Sequence, residues 1–250
     1  MKIIILNLLI FVMVVGCSGN EKLGKTNDEN LFLLAKKNIE NGQYLLGIDR
    51  LDELKATYPL SEYNQRAQLL KGEALFKQEN YQDSIDVYMN FQTLNPGYVN
   101  LDYVQWMIAE AYFKSMPETI DRDLSMAYEA INSYTSLIND YPKSKYVKDV
   151  GERLKQCHSF IFDREMYIAD FYFKTKKYMS SASRYKEILS SSAPSSYKKK
   201  AYVKYVKSLA NDDDFGKCLE ALKTNSVVNF MSTNEEKSLK NRCAKGLNRN

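Results

Sequence analysis

One histidine, one tryptophan, five prolines, ten glycines and four cysteines are the whole complement of those residue types in 250 residues. A single histidine, His158, leaves no pair for a metal site. No serine, cysteine or carboxylate is arranged around it to make an activated nucleophile. The few glycines form no phosphate-cradling loop and no nucleophile elbow. No cysteine spacing matches a metal site, so the sequence implies no cofactor, no metal and no enzyme. Charge is also nearly balanced, with 35 basic and 31 acidic residues. That balance argues against nucleic-acid binding. Scarce proline and glycine, set beside 19 tyrosines, disfavour a sheet protein with many turns and favour helices wedged together by aromatic rings.

Those helices repeat. Within YNQRAQLLKGEALFKQENYQDSIDVYMNFQTLNP, Tyr63 to Pro96, one apolar stripe holds Leu69, Gly72, Leu75 and Phe76. After a polar break at Gln78 to Asn80, a second holds Tyr81, Ser84, Ile85, Tyr88 and Phe91. The spacing predicts a helix, a tight turn and a second helix, stopped by Pro96. Gly72 is expected where two helices approach closely. Pro59 to Pro96, Tyr44 to Tyr81 and Tyr178 to Phe215 are each separated by 37 residues. A small residue midway along the first helix, an aromatic at the turn and a closing proline resemble the tetratricopeptide pattern. The fold class expected is therefore all-α, a tetratricopeptide-repeat helical solenoid of about five repeats, because one hairpin cannot bury its own apolar face.

Repeat one runs from Asp28 to Pro59, with Asn27 and Asp28 as cap residues and Gly42 in the left-handed turn position. Repeat three is longer: Pro96 to Pro142 is 46 residues, nine more than the period, and all but one of the nine are taken up by MPETIDRD, Met116 to Asp123. An insertion of this kind is expected to project from one face, as a partner contact or a loop without function. Tyr146 to Lys174 lacks a strong breaker over 29 residues and reads as one long helix. Ser190 to Ser196 reads as a loop, Tyr202 to Leu209 and Phe215 to Leu222 as a weaker fifth repeat, and Glu235 to Gly246 as a basic final helix capping the stack.

The first residues stand apart. Lys2 precedes an apolar run, Ile3 to Val15, of 13 residues, too short to span a bilayer, which takes about 20, but suited to a secretory signal. Val14, Val15, Gly16 and Cys17 resemble a bacterial lipobox. That resemblance implies a diacylglycerol and an N-acyl chain on Cys17, anchoring enough for stable attachment. Plain cleavage leaving a free cysteine is the alternative. Ser18 at the next position implies the outer membrane. Ser18 to Glu29 is a polar tether. The expected divisions are then residues 1–16 signal peptide, 17–29 lipidated cysteine and tether, 30–115 and 116–223 the two halves of the repeats, and 224–250 a basic cap. In that compartment Cys218 and Cys243 can form a bridge or remain two buried thiols. Charge is uneven: residues 18–116 carry 10 basic and 14 acidic side chains, and residues 197–250 carry 12 and 6. The two ends are expected to meet different partners.

More specific still are Leu94, Asn95, Pro96, Asn100, Asp102, Tyr103, Val104, Trp106 and Met107, which resemble the second-to-third repeat junction of the BamD (YfiO, ComL) family. Tyr58, Pro59, Tyr63, Gln65 and Gln68 resemble its first junction. Asp121, Arg122, Asp123, Tyr141, Pro142, Ser144, Tyr146, Asp149, Arg153 and Leu154 resemble its third repeat and the following helix. The resemblance covers Leu31 to Leu209; repeat five and the tail from Thr224 depart from it. It implies a scaffold lipoprotein of outer-membrane β-barrel assembly, facing the periplasm, whose partners are unfolded barrel proteins, a BamA-type insertase and further assembly lipoproteins. A secretin pilotin or a glycan-binding lipoprotein of the starch-utilisation type is the alternative. Counting repeat positions places Phe32, Arg66, Glu73, Phe76, Lys77, Tyr103, Trp106, Glu110 and Phe113 on the concave face. That set suits a short extended peptide ending in an aromatic and a carboxylate.

Overall fold

A computed structural model describes residues 27–223 and 230–249. The expected signal segment, Cys17, the expected tether as far as residue 26, residues 224–229 of the expected cap and residue 250 lie outside the described residues. Among the described residues there are eleven helices and no strand. No described helix is long and apolar enough to cross a membrane. The chain divides into two compact units, with the boundary after Ala74.

The first unit contains α1 (Asp28–Glu40), α2 (Tyr44–Thr57) and α3 (Asn64–Lys77) as far as Ala74. Asn27 is the N-cap of α1, its side chain accepting from the Asn30 backbone N–H at 2.8 Å. Asp28 and Glu29 lie in the first turn and Lys37 in the last, the charge order that complements the helix dipole. Leu31, Ala35 and Ile39 of α1 bury against Leu51 and Leu54 of α2. The close approach of these helices is made at Gly47, where a Cβ would lie 2.4 Å from Ile39 Cγ1. Gly72 is buried. At the following junction, Asn64 Nδ2 donates to the carbonyls of Tyr58 and Pro59 at 2.8 and 2.9 Å. Ser61 Oγ donates to Asp28 Oδ2 at 2.5 Å.

The second unit continues with α4 (Tyr81–Leu94), α5 (Leu101–Lys114), α6 (Ser125–Asp140), α7 (Val147–Lys174), α8 (Tyr178–Ser190), α9 (Ser195–Asn211), α10 (Phe215–Lys223) and α11 (Thr233–Leu247). From α5 to α9 each helix packs on the one before it in the chain, as hairpin repeats must. The second helix of three successive repeats carries a fully buried tyrosine, Tyr88, Tyr134 and Tyr185. Rings of that size dominate the apolar burial of each layer. The hairpin turns share one backbone feature. Gly42 (φ 76°), Glu79 (63°), Lys176 (60°) and Asp213 (58°) are left-handed, and Gly42 to Glu79 and Lys176 to Asp213 are again 37 residues apart.

One expectation changes and two become specific. Helix α9 starts at Ser195, not near Tyr202, because Pro194 stands at its N-cap and the basic run Lys198 to Lys200 is its first solvent-facing turn. The Met116 to Asp123 insertion is pinned at its base: Leu124 is buried, Met116 packs beside it against Ile161, and Arg164 of α7 donates to the Arg122 carbonyl. Only Glu118, Thr119 and Asp121 to Asp123 remain exposed. Cys218 of α10 and Cys243 of α11 are joined by a disulfide, both residues fully buried. Cys157 is a buried free thiol, its pKa pushed up to about 11 by burial.

Candidate partner-binding surface

The residues singled out for peptide binding fall into both units. In the first, Phe32 stacks on Tyr63 with ring centroids 5.4 Å apart, and the Arg66 guanidinium sits 4.9 Å from the Phe32 centroid and 5.7 Å from that of Tyr63. Phe32 is only 3% exposed. It therefore does not line a groove; it supports Arg66, which is exposed on the aromatic pair. Glu73 is half-buried.

In the second unit, Phe76 is half-buried edge-on against Tyr81 at 5.3 Å, and Lys77 is exposed. The remaining four residues lie on α5, where spacings of three and four residues put Tyr103, Trp106, Glu110 and Phe113 on one side of the helix. Three of them contribute to an aromatic face. Trp106 stacks on Tyr146 at 5.5 Å with the rings 15° from parallel, and it leans on Tyr134 at 5.8 Å. Tyr103 approaches Tyr146 at 6.0 Å, and Phe113 approaches Tyr134 at 6.5 Å. Tyr103, Trp106, Phe113 and Tyr146 are all half-buried, so parts of their rings reach solvent. Two cations border them, Lys145 Nζ at 5.0 Å from the Tyr146 ring and Arg153 at 4.6 Å from that of Phe113.

Glu110 does not belong to the open surface. It is 7% exposed, and its carboxylate takes two bonds from Arg153 of α7, at 2.8 and 2.9 Å, and one from Tyr134 Oη at 2.6 Å. A carboxylate can be buried at this point because both of its oxygens are hydrogen-bonded, two of the three bonds coming from a cation. Burial, and then the bond to Glu110, raise the Tyr134 pKa well above the usual phenol range. The arrangement recurs one repeat later. Asp170 of α7 accepts from Tyr185 of α8 and from Lys204 of α9, the latter at 2.5 and 2.7 Å. In both layers, 19 residues separate the tyrosine from the following cation. Carboxylate and tyrosine lie 15 apart at Asp170 and 24 apart at Glu110, where the insertion intervenes. That spacing was the available signal for the Tyr134–Arg153 pair beneath this surface, and a repeat-position count confined to first helices passes over it.

Chemically, the α5–α7 face offers π surfaces, the exposed cation Lys145 and the Arg153 guanidinium, whose charge is shared with Glu110. Among the described residues, no group of three His, Cys, Asp or Glu side chains could hold a metal. Half-exposed aromatic rings beside cations are the kind of surface that can receive an apolar group carrying a negative charge.

The model of the family described as YfiO, outer membrane lipoprotein, matches residues 25–221. The chain belongs to the YfiO family. It is similar to the outer membrane protein assembly factor BamD of Rickettsia prowazekii, 24% identical over 65% of this chain and 62% of the relative. The BamD of Caulobacter vibrioides is 23% identical, over 72% of this chain and 61% of the relative. For the BamD of Neisseria meningitidis serogroup B the identity is 24%, over 76% of this chain and 78% of the relative. The chain thus spans about three fifths of the first two relatives' length. Among solved structures, the TPR2AB domain of yeast Sti1 covers 87% of this chain and 98% of its own at 12% identity and a TM-score of 0.43. Tyr103, Trp106, Tyr134, Tyr146 and Arg153 all fall inside the stretch matched by the YfiO family model.

Proposed function

We propose that this protein is a non-catalytic scaffold of the machinery that assembles β-barrel proteins in the outer membrane. On this reading it is anchored through lipid on Cys17, faces the periplasm and binds a BamA-type insertase, further assembly lipoproteins and unfolded barrel proteins. The observation that carries it is the YfiO match over residues 25–221, joined by relatives whose printed name is assembly factor BamD. The α5–α7 face supports it: partly open Tyr103, Trp106 and Phe113, with Lys145 and Arg153 alongside, suit a barrel segment ending in an aromatic residue and a carboxylate. Substrates must be released, so a single peptide should bind with a Kd on the order of micromolar, about 8 kcal/mol.

Trp106 is the only tryptophan and reports on that face directly. Its fluorescence should shift on titration with a short peptide ending in phenylalanine with a free carboxylate, and less with the C-terminal amide. An unresponsive Trp106, with the peptide bound elsewhere or not at all, would remove this face from the proposal. The secretin and glycan alternatives are separated by what the protein retains from solubilised outer membrane.

A further inference from the structure

Helices α8, α9 and α10 leave between them a cleft of about 600 Å³ that the surface described above does not use. Its volume lies in the range of small-molecule sites, about 300 to 1,000 Å³. The floor is apolar and aromatic, formed by Leu189, Tyr202, Tyr205, Ala221 and Phe230. Each of the three helices then contributes a lysine to its border: Lys186 from α8, Lys198 from α9 and Lys217 from α10. Lys217 shares its charge with Asp214 at 2.6 Å. No ion pair engages Lys186 or Lys198 among the described residues, and the one acidic residue on the lining is Glu220. The cleft therefore has a positive border over an apolar floor.

The hydrogen-bonding groups narrow the occupant further. Tyr202 Oη is already spent on the Ala221 carbonyl at 3.2 Å, and Ser190 Oγ on that of Lys186 at 3.1 Å. Other backbone groups on the three walls are engaged within their own helices. An extended peptide laid here would bring amide groups that need partners and find almost none. An apolar chain with one anionic head asks for no such partners. Tyr205 fits that division: its phenol, its pKa raised by burial, has no hydrogen-bond acceptor among the described residues, and Lys217, Glu220 and Asp214 are the charges acting on it. A protonated hydroxyl in a cleft bordered by Lys186 and Lys198 completes a donor set for a carboxylate or a phosphate oxygen.

We propose that this cleft is a binding site for a single-chain anionic amphiphile, with its alkyl body on Leu189, Tyr202 and Phe230 and its head among Lys186, Lys198 and Tyr205. The inference does not depend on the assembly role. A carboxylate head would come from a free fatty acid, and a phosphate head from a lysophospholipid.

Photolabelling of the full chain in non-ionic detergent tests it, using diazirine-bearing forms of dodecanoate, dodecyl phosphate and dodecyl glucoside at equal concentration, with attachment sites mapped by peptide mass. The two anionic probes should attach to peptides spanning 186–205 and 217–221, and dodecyl glucoside should not. Stronger labelling by dodecanoate identifies the fatty acid as the source, and stronger labelling by dodecyl phosphate the phospholipid head. Double reversal, Lys186→Glu with Lys198→Glu, touches no core residue and should lower anionic labelling about tenfold, the sum of several weak surface charge effects. Leu189→Trp should block the floor. Equal labelling by the glucoside, or labelling that survives charge reversal, would overturn the proposal. So would more effective displacement by an acidic, phenylalanine-containing hexapeptide than by unlabelled dodecanoate, which would assign the cleft to a protein partner.

Discussion

Tyr134 of α6 donates its hydroxyl proton to Glu110 of α5 at 2.6 Å, and Arg153 of α7 closes the other side of the same carboxylate at 2.8 and 2.9 Å. Three consecutive helices are thus pinned at one buried charge. Removing the cation strands the carboxylate in the core, whereas removing the hydroxyl leaves it paired. Arg153→Ala should destabilise by about 3 kcal/mol and Tyr134→Phe by about 1 kcal/mol in urea unfolding followed by helix content. An Arg153→Ala variant as stable as the parent would show that Glu110 finds water or another partner.

Only Leu239 and Cys243 of α11 are buried, out of its 15 residues, and Cys243 is one end of the disulfide. The bridge spans 25 residues. By loop-closure entropy it should contribute about 3 kcal/mol. Cys218→Ser with Cys243→Ser is expected to speed amide exchange across 233–247 first, with α5 to α7 unchanged. Uniform acceleration over the whole second unit would mean that α11 is not a separately held element.

The left-handed turn residues give a test of opposite sign. Lys176 sits at φ 60° and Gly42 at φ 76°, a region that costs an L side chain roughly 1 kcal/mol. Lys176→Gly should therefore raise Tm, and Gly42→Ala should lower it. No neighbour lies within 4 Å of a Cβ built on Gly42, so backbone strain alone is at issue. Unchanged Tm in both variants would contradict the assignment.

Alkaline pH should weaken the fold through protons held too tightly in the folded state. Burial raises the Cys157 pKa from 9.0 to about 11, and burial first, then a carboxylate partner, raises those of Tyr134 and Tyr185 from 10.0. The unfolded chain loses these protons first, so stability is fully present below pH 9 and falls above it. The same shift keeps Cys157 a thiol at pH 8. Iodoacetamide should leave it unmodified in the native protein and label it in denaturant; rapid native alkylation would contradict its burial.

Much of the fold was legible in the sequence because its signals are local. The 37-residue interval placed the hairpins, and the missing breaker between Tyr146 and Lys174 matched the 28-residue α7. Helix α9 was cut short because Lys198 to Lys200 hides the apolar stripe of Ala201, Tyr202 and Val206. Among the residues proposed for the site, Tyr103, Trp106 and Phe113 share one side of α5, as helical spacing implies. Phe32 and Glu110 were misplaced because helical phase gives the side of a helix and not the depth to which a neighbouring helix covers it. Glu110 is buried by Tyr134 and Arg153, 24 and 43 residues further along the chain. The disulfide depends on the path between α10 and α11, which two cysteine positions do not define.

The central claim concerns partnership, and one purification tests it most directly. The lipidated protein is isolated by affinity from detergent-solubilised outer membrane, and the bound proteins are identified by mass. The account predicts a BamA-type insertase in near-equal amount. A secretin or a polysaccharide retained in its place, with no insertase, would contradict the assembly role while leaving the helical-repeat fold intact.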